Sequence, residues 1–519
     1  MREMKQKLVI MAPFLGLKGN KLLAAVTVSA GMGFILFGYD NGVMGSVLGS
    51  PSFEQQFGLS STMEGTVTAM FELGCIIGAW SVSLFGEPWG RRTIIHIGTL
   101  CVCIGAAIQT SSYSTAQLIV GRIVAGIGMG FITSSVPIWQ AETSPAKIRG
   151  AMICSSLSFT LLGQLLAYWS EYGTSKYSSS FSWRLPFALQ AVLAIIVSIM
   201  LFFMPESPRW LFSHDRDDEA VLVLKCLRGS SGEQTAADAE AEEIRAAIVF
   251  ENSVQRGWLD LFKEDNVRSR WRVILAIGIQ SMQPFSGSAV ITYYQTVIFQ
   301  DSIGMDRNQA QLMSGYLSIW FLAASFLTWF LIERVGRRPL FLIFCIAMAM
   351  AMAVIAAMIE VDTHASGIVA ATAIFLYEAF FTWGWMGNVW CYTAEIMPLD
   401  CRSKGMGCAV GFQWVWNFVM IFVTPIGLTN IGWRMYIIFA SFNLAFFPIV
   451  YFFFPETAGM SLEVLDAVFV DKTANPVKKA NEFRKKVKRG EAIDLQLEFE
   501  DALGDKEKAQ HIECTKDGS

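Results

Sequence analysis

Two residues of opposite charge interrupt otherwise apolar stretches. Asp40 lies in FGYDNGVMG, inside LLAAVTVSAGMGFILFGYDNGVMGSV, and Arg122 lies in LIVGRIVAGIGMG. A charge at the centre of a membrane span costs ~2.5–3.5 kcal/mol on insertion scales, so each needs a partner or a task. Paired, the two offset much of that cost. One reading is a permanent ion pair that only fixes helix packing. The other is a proton site: burial and a neighbouring guanidinium act on a carboxyl group's proton affinity in opposite directions. A guanidinium that leaves and returns would then load and unload a proton on Asp40. Glu72 (AMFELGC) and Glu378 (FLYEAFF) are further carboxylates in apolar runs, functional by default. His96, His214, His364 and His511 form no cluster and no relay.

The elements that position these groups follow from composition. The chain has 519 residues, 53% hydrophobic and only 16% charged, too apolar for an ordinary soluble domain. The apolar residues fall in twelve blocks of the length a helix needs to cross a bilayer: roughly 22–44, 64–85, 93–110, 117–139, 150–170, 183–204, 272–299, 309–331, 339–360, 368–392, 405–428 and 432–454. With both ends cytoplasmic, 35 of the 40 basic residues fall on one side, as the positive-inside rule requires. No signal peptide is expected from MREMKQKLVIMAPFLGLKG. The cysteines read as small apolar fillers with no CxxC pair, so no metal site, disulfide frame or cofactor is expected. There is no N-x-[ST] sequon.

The chain repeats itself. GEPWGRR recurs as IERVGRR, IWQAETSPAKIRG as WCYTAEIMPLDCR, and the PE of MPESPR as that of FPETAG, at offsets of 246, 253 and 250 residues. Three motifs at one spacing indicate duplication, so the expected fold is an all-α membrane protein of twelve transmembrane helices in two parallel six-helix halves. The expected division is a cytoplasmic N-terminus over 1–21, one half over 22–204, a linker with short amphipathic helices over 205–271, the second half over 272–454, and a charged, largely disordered tail over 455–519.

These motifs resemble the sugar porter family of the major facilitator superfamily over about residues 22–470. GRR after spans two and eight, ExxPxxxRG after span four, PESPRWL after span six and PETAGMSLEVLD after span twelve form a specific set. FELGC and FFFPETAGMSLEVLD look most like fungal members, including the branch with glycerol–proton symporters. The resemblance implies the major facilitator fold and alternating access. It also implies a proton-coupling pair at Asp40 and Arg122, because this position of FGYD is Asp in many proton symporters and Asn in animal glucose facilitators.

The repeated motifs place Arg91, Glu142, Arg149, Glu206 and Arg209 at cytoplasmic helix ends of one half, and Arg337, Glu395, Arg402 and Glu456 in the other. Such ion pairs can form a latch that breaks as the halves rock; the blander reading is orientation by the positive-inside rule. The first half departs from the family at Glu87-Pro88, while the second keeps Glu333-Arg334.

A sugar or polyol presents hydroxyls and apolar CH faces, which amides and aromatic rings suit. Gln283, Tyr293, Tyr294, Trp390, Gln413, Trp414 and Asn417 are the candidates; Gln283, Trp390, Trp414 and Asn417 stand at family positions. For any single aromatic, simple packing is an equal reading. Three departures matter. Span seven reads Gln283-Pro284-Phe285-Ser286-Gly287-Ser288-Ala289 where the family has QQxxGxN. Leu157 replaces a span-five Gln, with Gln164 seven residues on. Span ten lacks the Pro before its Trp. An unpaired buried hydroxyl costs ~1–3 kcal/mol, so the expected pocket is atypical for glucose, leaving another sugar, a polyol or a sugar acid open.

The leading reading is a proton-coupled importer of a sugar-like solute. An uncoupled facilitator and a non-transporting nutrient sensor are the alternatives. An enzyme is not expected, for there is no nucleophile–base pair, metal-ligand spacing or phosphate loop. The expected partners are a sugar or polyol, protons and membrane lipid, the last near the basic run Lys478–Arg489. No nucleic acid is expected, and the protein is expected to act as a monomer in the plasma membrane.

Overall fold

A computed structural model describes residues 16–145, 149–228, 268–398, 402–460, 462–470 and 475–489, with parts of 237–265. The described residues are helical, with no strand. Eleven helical segments are long and apolar enough to cross a membrane. Span five, Arg149–Thr174, is a further 26-residue helix and completes the expected twelve.

In the first half the spans are Asn20–Val47, Ser61–Phe85, Arg91–Thr110, Thr115–Thr143, Arg149–Thr174 and Phe181–Phe202. Spans two and four, which start on the side opposite the basic loops, called outer below, carry polar caps. The Ser60 hydroxyl accepts from Met63 N–H, and Ser114 from Gln117 N–H, the usual way to satisfy orphan N–H groups. In the second half, Arg307–Val335, Arg337–Val361, Arg402–Ile431 and Arg434–Phe453 are continuous. Spans seven and ten are broken. Span seven runs Ser269–Phe285, turns at Gly287 with φ +96°, and resumes as Ser288–Val297. Pro284 ends its first segment, as a residue without an N–H would. Span ten runs His364–Phe381, widens into a π-turn over Thr382–Met386 and continues as Gly387–Ile396. Broken spans put backbone carbonyls at the middle of the bundle, where side chains must satisfy them. Ser286 O accepts from Tyr377 Oη at 2.9 Å and from Asn443 Nδ2 at 2.8 Å.

Small residues set the helix spacing, as in membrane bundles generally. A Cβ at Gly38 of span one would lie 1.7 Å from Thr160 O of span five, and one at Gly163 would lie 2.0 Å from Ile35 O. Spans two and four meet through Gly74, Gly78, Gly126 and Gly130. The same device joins the halves: a Cβ at Gly65 of span two would lie 2.4 Å from Phe422 O of span eleven.

The linker holds helices Pro208–Ser213 and Asp217–Arg228. The second helix expected there falls mostly outside the described residues. The described part of the tail is ordered where the composition suggests a solvated segment, and residues 490–519 lie outside the described residues. Leu462–Val470 and Pro476–Lys488 are helices that bury Leu465, Phe469 and Phe483. Arg272 Nη1 pairs with Asp466 at 2.5 Å, and Arg484 Nη1 with Glu456 at 3.2 Å. A Lys/Glu-rich composition conceals this, because the few apolar residues that dock are spaced on one helical face.

Candidate functional site

Asp40 and Arg122 are both fully buried and lie within electrostatic reach of each other, but they are not a contact pair. Asp40 Oδ1 instead accepts from Nε2 of Gln190 in span six, and Oδ2 has no hydrogen-bond partner. Arg122 donates through Nη2 to Thr68 O at 3.3 Å, and its guanidinium lies 4.5 Å from the centroid of Phe71. Its Nε and Nη1 have no partner. The direct ion pair expected from sequence is therefore replaced by two separate anchors. Gln190 is a lone amide in the apolar FALQAVL, a polar interruption of the same kind as Asp40.

Glu72 of span two belongs to the same buried layer. Its Oε1 accepts from Tyr293 Oη at 2.5 Å and from Asn417 Nδ2 at 3.1 Å. The Tyr293 hydroxyl also lies 2.8 Å from Asn41 Oδ1. Tyr293 and Asn417 come from the second half, so the charged layer of the first half touches the amide-rich layer of the second.

That second layer contains most of the expected solute residues. Gln413 Nε2 donates to Gln283 Oε1, and Gln283 Nε2 donates to Met386 O at 3.3 Å, at the end of the π-turn. Trp390 is half-buried about one turn further along span ten. Trp414 is edge-on to Phe37 of span one, with centroids 5.7 Å apart. Tyr294 is different: fully buried, it donates to Ile421 O at 3.0 Å and ties span seven to span eleven. That bond braces the two spans against each other. Gln164 is buried on span five, and Ala289 is buried at the restart of span seven.

The two halves meet on the outer side through side chains. Tyr168 Oη donates to Thr292 O at 2.7 Å, and Ser61 Oγ lies 2.9 Å from Thr429 Oγ1.

At the basic-loop side the motif residues form matching sets within each half. Arg91 pairs with Glu142 at 3.2 Å, and Arg337 with Glu395 at 2.8 Å. Glu206 Oε1 accepts from Arg91 N at 3.1 Å, and Glu456 Oε1 accepts from Arg337 N at 2.9 Å, each a carboxylate at a helix N-terminus. Burial pushes the Glu206 carboxyl up from the usual carboxylate range, against the opposing pull of the Ser207 and Arg92 N–H groups and the nearby arginines. Arg209 is half-buried on Pro208–Ser213. Arg149 and Arg402 open spans five and eleven, and their side chains lie outside the described residues.

Comparison with known proteins gives a consistent answer. The family model described as "Sugar (and other) transporter" matches residues 25–469. The MFS-type transporter oryC of Aspergillus oryzae is 36% identical over 470 residues, covering 88% of this chain and 87% of that protein. Sugar transporter STL1 of Saccharomyces cerevisiae is 31% identical over 479 residues, covering 90% and 84%. Among solved structures, the proton:xylose symporter XylE bound to 6-bromo-6-deoxy-D-glucose superposes with a TM-score of 0.73 at 24% identity, covering 86% of this chain and 99% of that one. The fold is that of a multi-pass integral membrane transporter, not an enzyme, and the chain belongs to the sugar (and other) transporter family of the major facilitator superfamily.

Proposed function

We propose that the protein imports a neutral, hydroxyl-rich solute, a sugar or polyol, together with protons. The observation that carries this is the contact of two unlike layers at mid-bundle. The first half supplies the charges Asp40, Glu72 and Arg122; the second supplies Gln283, Gln413, Asn417 and Trp414, with Trp390 about one turn beyond Met386 on span ten. Amides that donate and accept, beside indole faces, suit hydroxyls and CH faces. A carboxylate with an unpartnered oxygen in a buried layer suits a proton. Arg122, anchored to Thr68 O, is the group whose approach would release that proton from Asp40. Relatives named as sugar transporters support the solute class.

The state described is outward-closed on this reading, with Tyr168–Thr292 and Ser61–Thr429 joining the outer ends. The matching arginine–glutamate sets act as the cytoplasmic latch, including Arg149, Arg209 and Arg402. The site is the plasma membrane, and one chain suffices.

The test is labelled-solute uptake in a transporter-deficient yeast with hexoses, pentoses, glycerol, disaccharides and galacturonate at two external pH values. Acid-stimulated uptake, abolished by a protonophore, establishes symport. Uptake indifferent to pH overturns it in favour of a facilitator. A surface-expressed protein that moves none of the panel overturns transport of sugars and polyols.

A further inference from the structure

Glu72 has no task in the proton step as described, yet among the described residues its contacts are unlike those of any other carboxylate in the spans. It is 0% exposed on span two. Oε1 takes two donors from the opposite half, Tyr293 at 2.5 Å and Asn417 at 3.1 Å. Oε2 is buried with no partner. The titratable groups facing it are Arg122 on span four, Tyr293 on span seven, Asp40 on span one through the shared layer, and Cys75 on its own helix.

Charge counting sharpens the point. One guanidinium, Arg122, faces two carboxylates, Asp40 and Glu72. With both ionised the layer carries one uncompensated negative charge, which a membrane interior disfavours. One proton makes the layer neutral, and the carboxyl oxygens without partners, Asp40 Oδ2 and Glu72 Oε2, are where it can reside.

We propose that Glu72 is a second proton-binding carboxylate of the cycle, coupled to the solute through Asn417. The inference rests on the symport reading above and adds the linkage that reading lacks. A solute hydroxyl takes the Asn417 Nδ2 donor from Glu72 Oε1. Loss of a donor to the anion favours the neutral acid, so a proton from outer water binds the carboxylate and an O–H bond forms. When the solute leaves inward, Asn417 returns, and the O–H bond breaks with release of the proton to inner water. Solute and proton then each promote binding of the other, as thermodynamic reciprocity requires. The Tyr293 hydroxyl carries the same change to the outer gate, because a hydrogen bond to an ionised carboxylate is about twice as strong as one to a neutral acid.

The test uses the full chain in liposomes with radiolabelled glycerol, D-xylose and D-glucose. Two modes are compared: net accumulation driven by acid outside, and equilibrium exchange, which moves no net proton. Glu72→Gln keeps exchange and loses accumulation, so that inside concentration stops at the outside value. Accumulation by Glu72→Gln equal to wild type overturns the proposal, while loss in Asp40→Asn alone leaves the symport reading standing. Wild type without proton-driven accumulation overturns the symport reading and this one with it. Should Glu72→Gln not fold, solute-induced infrared difference spectra of wild type and Asn417→Ala decide. Wild type gains a carboxylic-acid carbonyl band on adding solute; Asn417→Ala shows it without solute. Absence of the band in both overturns the proposal.

Discussion

Gln190, not Arg122, holds the Asp40 carboxylate. The second half repeats the arrangement without the charge. Asn443 of span twelve donates to Ser286 O of span seven at 2.8 Å, and these positions follow Gln190 and Asp40 by 253 and 246 residues, the motif offsets. Duplication therefore gave both halves an amide on the sixth helix that reaches the first, and at this position only the first half has a carboxylate. Asp40→Asn should keep solute exchange and lose accumulation under a proton gradient. Gln190→Leu should cost about 1–3 kcal/mol by leaving a buried carboxylate oxygen without its donor, read as a lower unfolding temperature in detergent.

The two caps at the latch differ in burial, and so should their mutants. Glu456 is 1% exposed and accepts from Arg337, Thr457 and Ala458 N–H groups. Glu206 is more accessible. Glu456→Ala should lower the unfolding temperature more than Glu206→Ala, by about 1–3 kcal/mol of stability for each buried donor group left unpaired. Because burial lifts the Glu206 carboxyl, the folded protein holds that proton more tightly than the unfolded chain. Wild type should then lose stability relative to Glu206→Gln as pH rises through the carboxylate range; thermal unfolding of both at several pH values checks the sign.

Span one against span five tolerates no added atom at two glycines. Gly38→Ala and Gly163→Ala should each destabilise by at least ~1–3 kcal/mol through overpacking and sharply reduce surface expression. Gly173→Ala, where a Cβ would meet nothing within 4 Å, should be silent. Fluorescent-tag quantification of surface protein separates the three.

In the amide layer, Gln413→Leu should raise KM about tenfold, the scale of one lost hydrogen bond at ~1–1.5 kcal/mol. Tyr294→Phe should leave KM unchanged and lower thermal stability by ~1 kcal/mol, since it removes the bond to Ile421 O. Uptake kinetics beside thermal unfolding distinguish the solute contact from the packing contact.

The docked tail helix makes a local prediction. Arg484 contacts Glu456 and donates to Val335 O at 2.9 Å. Arg484→Ala should expose Pro476–Lys488 to limited proteolysis while leaving residues up to 470 protected. Equal protection in both proteins would show that the docking does not depend on this arginine.

The sequence alone determined the spans, the halves and the motif pairs. Hydrophobic length, basic-residue asymmetry and repeat spacing are properties of the chain that packing does not alter. It also placed Asp40, Arg122, Gln283, Gln413 and Asn417 in membrane spans, because polar residues there stand out against apolar neighbours. Partnership was decided only by the tertiary structure. Asp40 meets Gln190, 150 residues away, Arg122 meets Thr68, and Glu72 meets Tyr293 and Asn417 across the halves. Those meetings depend on how glycine-lined helices close against one another and where spans seven and ten break. A few ångströms there decide which buried donor reaches which carboxylate, and no spacing along one helix encodes a distance between two.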